Sequence, residues 1–429
     1  MRSYAKSMAF LARAEKVIPL GSQTFSKSRT QYPYGVSPYF ITRGQGARVW
    51  DLDGNEYIDF VSSLASITLG YQDPDVNHAV RQQLDTSGVI FSLPHPLETE
   101  VAELICAMVP CAERVRFGKN GSDATAGAVR VARAFTGRDR IAACGYHGWQ
   151  DWYIGSTARH RGVPAATREL THSFTYNNLD SLRSVLLAHP GEFAAVIMEP
   201  MNVVDPEPGF LAAVKALAQQ HGALLVFDET ITGFRFDNGG AQAHFGVTPD
   251  LATFGKGLAN GFPLSAIAGR ADVMKEMEEI FFSFTFGGEA LSLAAAKATL
   301  EKLQREPVAA TLAARGRQAM DGASAVIAQH GLQDLFAVSG HPTWSFLNIK
   351  DGRGASAFEI KTLWMQEILE RGILSVGTHN VNYAHTEADI NRLVAVYGEV
   401  LPFIGQTLDD GKLRDALRCE PLVPLFKVR

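Results

Sequence analysis

Cysteine is scarce: Cys106, Cys111, Cys144 and Cys419 are the four in 429 residues. Their spacing matches no metal-ligand pattern, and four thiols in so long a chain do not build a disulfide framework. They read as free thiols in a reducing compartment. An excess of basic charge is also missing, with 40 Lys and Arg against 45 Asp and Glu and a formal net charge of -5. Nothing is therefore left over to neutralise the phosphates of a nucleic acid or the face of an anionic membrane. No apolar run reaches the roughly 20 residues that span a bilayer. The short patch from Met8 to Leu11 is followed by Arg13, Glu15 and Lys16, so it reads as the start of an amphipathic helix and not as a signal peptide. Internal repeats and low-complexity tracts are absent as well. Together these absences lead to the expectation of a cytoplasmic protein without a nucleic-acid, membrane or metal partner.

What is present is ordinary for a globular chain, 46% hydrophobic and 20% charged, and the length calls for two or three lobes. Ala47 to Phe60 carries Asp53-Gly54 between two alternating runs, a hairpin signal. From Pro96 to Leu300, helix-spaced stretches (Glu98 to Met108, Ala124 to Phe135) alternate with short apolar runs (Arg140 to Ala143, Ala194 to Met198, Ala223 to Phe227, Leu264 to Ala268). Runs with so little polar alternation suit strands covered on both faces. The expected fold class is α/β, a mostly parallel sheet in a large domain, with a smaller α+β domain built from both termini. The boundaries expected are residues 1–60 and 305–429 for the smaller domain and 61–304 for the larger.

Chemistry is concentrated in a few phrases. Lys256 stands between Gly255 and Gly257, after an apolar run. A lysine in a tight, partly dry site is a usable nucleophile for a carbonyl, such as the aldehyde of pyridoxal phosphate; a solvated loop lysine is the plainer alternative. A phosphate-cradling P-loop is excluded by Asp250 and Gly257, and a dinucleotide fingerprint by Asn260. Asp228 ends one buried run and Glu199 another, where ligands bind in parallel sheets; Asp228 suits a protonated ring nitrogen or a helix cap. Gly121 and Ser122 open a helix whose first N–H groups suit an anion, unless Ser122 or Asp123 simply caps it. Tyr146 and His147, before Gly148, offer an aromatic for stacking, or ordinary packing. Thr285 precedes Phe286-Gly287-Gly288 and has a hydroxyl for a phosphate.

The order of these phrases says more than any one of them. Asn120-Gly121-Ser122-Asp123-Ala124, Tyr146-His147-Gly148-Trp149, Met198-Glu199-Pro200, Phe227-Asp228-Glu229-Thr230-Ile231-Thr232-Gly233-Phe234-Arg235, Gly255-Lys256-Gly257 and Thr285-Phe286-Gly287-Gly288 follow one another. This succession resembles the class III (ornithine and ω-amino acid type) aminotransferases among the fold type I pyridoxal-phosphate enzymes, and within them the glutamate-1-semialdehyde aminomutases. The resemblance extends from Ala14-Glu15-Lys16-Val17-Ile18-Pro19 to about Val400.

The resemblance implies pyridoxal 5'-phosphate as cofactor and a homodimer as the working unit. Lys256 would carry the internal aldimine and then shuttle the proton, and Asp228 would pair with the pyridine nitrogen. Gly121 and Ser122 would hold the phosphate, with Thr285 reaching in from the second subunit. Tyr146, beside His147, would stack on one ring face and Thr230 would lie on the other. Asn202 would reach the phenolic oxygen, with Glu199 as a supporting carboxylate. This sequence departs from the family where Thr230 replaces Val or Ile, Asp123 replaces Glu, and Glu289 replaces Asn. Lys27 stands where the aminomutase has a carboxylate-binding arginine, and lysine lacks the planar fork. The late segment from Gly377 to Tyr383 lacks the aminomutase's acidic residue. The expectation is therefore an aminotransferase acting on a small ketone or aldehyde. Ser22, Gln23, His379, Asn380 and Asn382 would suit a hydroxyl-rich acceptor such as a keto sugar. The intramolecular amino shift of the aminomutase is the alternative, and a non-catalytic relative of the fold the weaker one.

Overall fold

Apolar runs without polar alternation need cover on both faces, and the larger of two compact units supplies it. A computed structural model describes residues 2–423. Within them, residues 65–68 and 74–310 form one unit, and residues 2–64, 69–73 and 311–423 the other. No helix among the described residues is long and apolar enough to cross a membrane.

The larger unit holds a seven-stranded sheet: β1 (Arg114–Gly118), β2 (Arg140–Cys144), β3 (Thr171–Ser173), β4 (Phe193–Met198), β5 (Leu224–Asp228), β6 (Leu251–Phe254) and β7 (Ser265–Gly269), in the order β1-β7-β6-β5-β4-β2-β3. From β6 to β3 neighbours run parallel, whereas β7 is antiparallel to both β6 and β1. Alternation does occur along these strands, but between two apolar layers. Ile141, Ala195, Ile197, Leu224 and Val226 pack with Ala124, Ala128, Val131 and Ala132 of helix Gly121–Thr136. Ala142, Val196, Leu225 and Phe227 face the other way, toward Leu182, Leu186, Val214 and Leu217. Small residues on helix Gly121–Thr136 allow close approach: a Cβ on Gly127 would lie 2.4 Å from Ile267 Cδ1. Because the central strands are parallel, Cys144, Met198, Asp228 and Phe254 all end at one edge, and the segments that follow them are the ones that carry the chemistry-bearing phrases.

In the smaller unit, the Asp53-Gly54 hairpin joins antiparallel strands Arg48–Asp51 and Glu56–Asp59. Its Asp53 also accepts N–H groups of Lys6 (2.8 Å) and Ser7 (2.9 Å), so the turn caps the first helix, Ala5–Ala14. Helices Ala357–Glu370 and Glu387–Asp409 bring Leu363, Trp364, Val396 and Tyr397 into the unit's core.

The late polar residues expected to face a substrate are instead occupied inside this unit. Ser62, Ser63 and Leu64 form a left-handed turn (φ 44, 49 and 60°), a conformation costing roughly 1–2 kcal/mol per L-residue. Internal hydrogen bonds hold it. Asp59 Oδ1 accepts the N–H groups of Val61 (2.7 Å) and Ser62 (3.1 Å), and Ser62 Oγ donates to the Asn380 carbonyl at 2.6 Å. Asn382 Nδ2 donates to Ser62 Oγ (3.1 Å) and Asn380 Nδ2 to the Val61 carbonyl (2.9 Å). His379 is fully buried, with Nδ1 at 3.0 Å from Ser345 Oγ and Nε2 at 2.9 Å from the Tyr397 hydroxyl. These side chains serve the strained turn and the core. Ser22 is half-buried and Gln23 is exposed. Lys27 Nζ donates to Ser63 Oγ at 3.3 Å, and Arg29 is paired with Glu15.

Burial pushes His379 down to about 4. The unfolded chain binds a proton at this ring below about pH 6.5, while the folded ring refuses it until about pH 4. Stability is therefore lost as pH falls through that window. Between pH 7 and pH 5 this group should cost about 2 kcal/mol. Denaturant titrations at the two pH values should show that loss in the wild-type chain and its absence in His379→Gln.

Candidate active site

Helix Gly121–Thr136 begins with a reciprocal cap. Asn120 Oδ1 accepts the Asp123 N–H and Asp123 Oδ2 the Asn120 N–H, both at 3.1 Å. The cap is thus Asn120, not Ser122 or Asp123 alone. The first-turn N–H groups of Gly121 and Ser122 are left to an outside acceptor, at the positive end of the helix dipole. Ser122 Oγ instead accepts the Trp149 N–H at 3.2 Å. That contact requires Gly148, which has φ +100°; a Cβ there would lie 2.2 Å from Ser122 Oγ. A Cβ on Gly121 would lie 2.8 Å from Thr230 Cγ2. These glycines thus bring the helix start, the segment after β2 and the segment after β5 together.

Asp228, the last residue of β5, is 4% exposed. Its Oδ2 lies 2.8 Å from His147 Nδ1, and its Oδ1 accepts the Thr230 N–H and the Thr253 hydroxyl, each at 3.1 Å. Burial alone raises such a carboxyl, but the contact with His147, with the hydrogen bond from the Thr230 N–H, outweighs it and holds Asp228 below the usual carboxylate range. His147 Nε2 faces the Cys144 carbonyl at 3.1 Å. A ring nitrogen meets a carbonyl oxygen only as a donor. With the carboxylate on its other side, the His147 ring is fixed between Asp228 and the Cys144 carbonyl. Its ring stacks on Trp152 (6.0 Å, 19°).

The adjacent carboxyl behaves oppositely. Glu229 accepts only from neutral donors: Ala241 and Gln242 N–H, Gln242 Nε2 and the Thr232 hydroxyl. Burial dominates there and raises it. Asp228 is held low and Glu229 high; Glu229 accepts first-turn N–H groups of helix Gly240–Phe245.

Glu199, after β4, is buried and accepts the Tyr146 N–H and Asn202 Nδ2, each at 3.0 Å. Tyr146 is 36% exposed, with its ring edge-on to Tyr153 at 5.7 Å. Burial, with Glu199 nearby, pushes the Cys144 thiol up to about 12, which makes it inert. Lys256 follows β6, half-buried, at φ +35° in the short turn Lys256–Ala259. Thr285 is exposed in turn 285–288, and no hydrogen bond among the described residues joins it to the other residues of the set.

Two contributors escaped the sequence reading. Thr253 holds Asp228 because the parallel β5–β6 register sets them opposite each other. Thr125 Oγ1 donates to the His147 carbonyl at 2.8 Å. Both roles depend on pairing between distant segments, which no local pattern announces.

Two buried polar atoms in this set, Asn202 Oδ1 and Thr230 Oγ1, have no hydrogen-bond partner among the described residues. With the lysine, the anionic carboxylate, the first-turn N–H groups and an exposed aromatic, this donor set fits pyridoxal 5'-phosphate.

Replacing His147 by Leu leaves the buried Asp228 carboxylate without its 2.8 Å partner, which should cost the larger unit about 3 kcal/mol of unfolding free energy at pH 7. Chemical denaturation checks this; a loss within about 1 kcal/mol, the net value of an ordinary hydrogen bond, would show that Asp228 does not depend on His147.

A family model for class-III aminotransferases matches residues 31–342. The 3-aminobutyryl-CoA aminotransferase of Cloacimonas acidaminovorans is 34% identical over 94% of this chain and 98% of that protein. The glutamate-1-semialdehyde 2,1-aminomutase of Roseiflexus castenholzii is 36% identical with the same two coverages, 94% and 98%. The FumI protein of a Sphingopyxis species, solved in its pyridoxal-phosphate internal-aldimine form, superposes with a TM-score of 0.88 at 29% identity, covering 97% of this chain and 99% of that one. An arrangement of donors suited to the cofactor and a match across most of the chain lead to one conclusion: the chain belongs to the class-III aminotransferases, enzymes that work with pyridoxal 5'-phosphate.

Proposed function

We propose that this enzyme transfers an amino group to the ketone or aldehyde of a small metabolite, with Lys256 and Asp228 as its catalytic residues. When bound, pyridoxal 5'-phosphate supplies an aldehyde for an amine and a ring that withdraws electrons. Asp228, buried and held by His147 Nδ1, the Thr230 N–H and the Thr253 hydroxyl, would pair with the ring nitrogen. That convergence on one buried carboxylate is the observation that carries the reading. Lys256 would hold the cofactor aldehyde through Nζ and would supply a base for a proton at the substrate carbon. Gly121 and Ser122 would hold the phosphate. Tyr146 and Thr230 would lie on the two ring faces, with His147 and Glu199 positioning their neighbours and Asn202 contributing its amide oxygen.

The working unit in this reading is a homodimer in which Thr285 completes the other copy's phosphate site. Exposed Phe281 (80%), Phe284 (37%) and Phe286 (58%) around Thr285, with exposed Ile90, Phe91 and Leu93, support it, since so much exposed apolar surface marks an interaction face. Free thiols at all four cysteines support a cytoplasmic location. A hydroxyl-rich carbonyl compound such as a keto sugar is the acceptor class proposed, with Ser22 and Gln23 as the residues to vary. The second reading, an intramolecular amino shift, is favoured by the Roseiflexus relative.

The visible spectrum of the protein with pyridoxal phosphate, before and after L-glutamate, tests this. Loss of the cofactor band on adding glutamate is expected, and Lys256→Ala should lower turnover by at least about a thousandfold. A band absent from the start would overturn the reading. A band unmoved by glutamate but consumed by glutamate-1-semialdehyde would favour the amino shift, and 3-aminobutyryl-CoA belongs in the same donor panel. Thr285→Val should weaken cofactor retention without splitting the dimer in sedimentation.

A further inference from the structure

The smaller unit contains a cavity that none of the residues assigned to the cofactor lines. It has a volume of about 260 Å³ and lies between helix Ala357–Glu370, strand Trp344–Ile349 and the segment around Val376. Leu347 of the unit's core lines it together with Ile349 and Val376, which pack on that core, and with Phe346 and Phe358. Into these apolar surroundings the helix brings one cation, Lys361, three residues after Phe358 and so on the same face. Lys361 is half-buried, and no hydrogen bond or ion pair from another side chain among the described residues reaches its ammonium.

A lysine stem on apolar surface is ordinary where its amine reaches water or a carboxylate. Lys119, also half-buried, meets Glu289 at 3.1 Å. Lys361 has no such partner: burial pushes its ammonium down, and no neighbouring charge contributes. The helix start does not add an anion site of its own, because two of its first-turn donors are taken. The Ala357 N–H donates to Asp351 Oδ1 at 2.6 Å and the Glu359 N–H to Ser356 Oγ at 3.3 Å. Asn348 and Thr378, which also line the cavity, are neutral, and each already donates, to Ser339 Oγ (2.8 Å) and to the Phe60 carbonyl (3.5 Å). Lys361 is thus the one charged side chain that lines it.

A single positive charge in an apolar cavity suits a ligand with one negative charge and an apolar body. Inorganic phosphate fits poorly, since a dianion taken out of water needs several donors. The volume falls just below the roughly 300–1,000 Å³ of pockets for larger ligands, which limits the body to a few carbons. We propose that this cavity is a second small-molecule site, which binds a short-chain monocarboxylate with its carboxylate on Lys361 Nζ and its hydrocarbon against Phe346, Ile349 and Phe358. It stands independently of the amino-transfer reading, because the two sites share no residue.

The test uses the full-length protein saturated with pyridoxal 5'-phosphate, with hexanoate, its neutral analogue hexanamide and inorganic phosphate as probes. Titration calorimetry gives affinity, and trace acetylation by acetic anhydride, read at Lys361 by mass spectrometry, gives location. Hexanoate should bind with a Kd of about 1 mM or below, and hexanamide at least about tenfold more weakly, for want of the charge. With hexanoate at about ten times its Kd, acetylation of Lys361 should slow about tenfold, because only that fraction of sites stays empty. Phosphate should give no protection. Lys361→Met, which keeps the length of the side chain and removes the charge, should weaken hexanoate at least about tenfold. Ala357→Leu, which fills part of the cavity and keeps the ammonium, should weaken it at least about fivefold. Thermal melting shows that each variant is folded; if Lys361→Met is not, Ala357→Leu and the protection of the wild-type lysine decide. Absence of protection by hexanoate would overturn the proposal, and so would equal protection by hexanamide, which would mark apolar contact alone. Hexanoate binding unchanged in a folded Lys361→Met would place the carboxylate elsewhere and overturn it too, as would phosphate binding as tightly as hexanoate.

Discussion

A carboxylate held ionised out of water is the constraint around which the larger unit is arranged. Asp228 is tolerated at 4% exposure because donors converge on it from three separate stretches: His147 after β2, Thr230 in its own turn and Thr253 on β6. Each donor needs support of its own. His147 is oriented by the Cys144 carbonyl and Trp152, and Thr253 by the β5–β6 register. A carboxylate secured this way would, in the function proposed above, meet a cationic ring nitrogen, and the stability of the sheet edge and the chemistry of the site would then draw on the same bonds. Glu229, one residue on, has as many partners but no charged one, and it titrates in the other direction.

The rest of the site follows from close approach. Gly121 and Gly148 remove the only atoms that would keep the helix start, the Trp149 N–H and Thr230 apart. The price of such crowding is that each neighbour must be in one place, and the capping box at Asn120 and the Glu199 contacts to Tyr146 and Asn202 provide this.

The smaller unit shows how polar residues mislead when their neighbours are unknown. Asn380, Asn382 and His379 have the character of substrate contacts, yet they hold a left-handed turn and a core. A strained turn maintained at such expense in hydrogen bonds is a built feature.

Much of this protein is legible in its residues alone. Apolar runs without polar alternation show strands covered on both faces, although the run from Leu264 to Ala268 became an antiparallel strand among parallel ones. A Gly-Ser helix start, a strand-terminal aspartate and a Gly-Lys-Gly in that chain order resemble one family of cofactor enzymes, and the order said more than any single phrase. Helical spacing placed the helix from Ala124 to Phe135 close to its observed bounds, Gly121–Thr136, while its cap proved to be Asn120. What only the tertiary structure decided is pairing across distance. That Thr253 and His147 hold Asp228 and that His379 is core depend on register and packing between segments tens of residues apart. Side-chain chemistry states what a residue is able to bond, but only the folded backbone brings one particular partner within 3 Å.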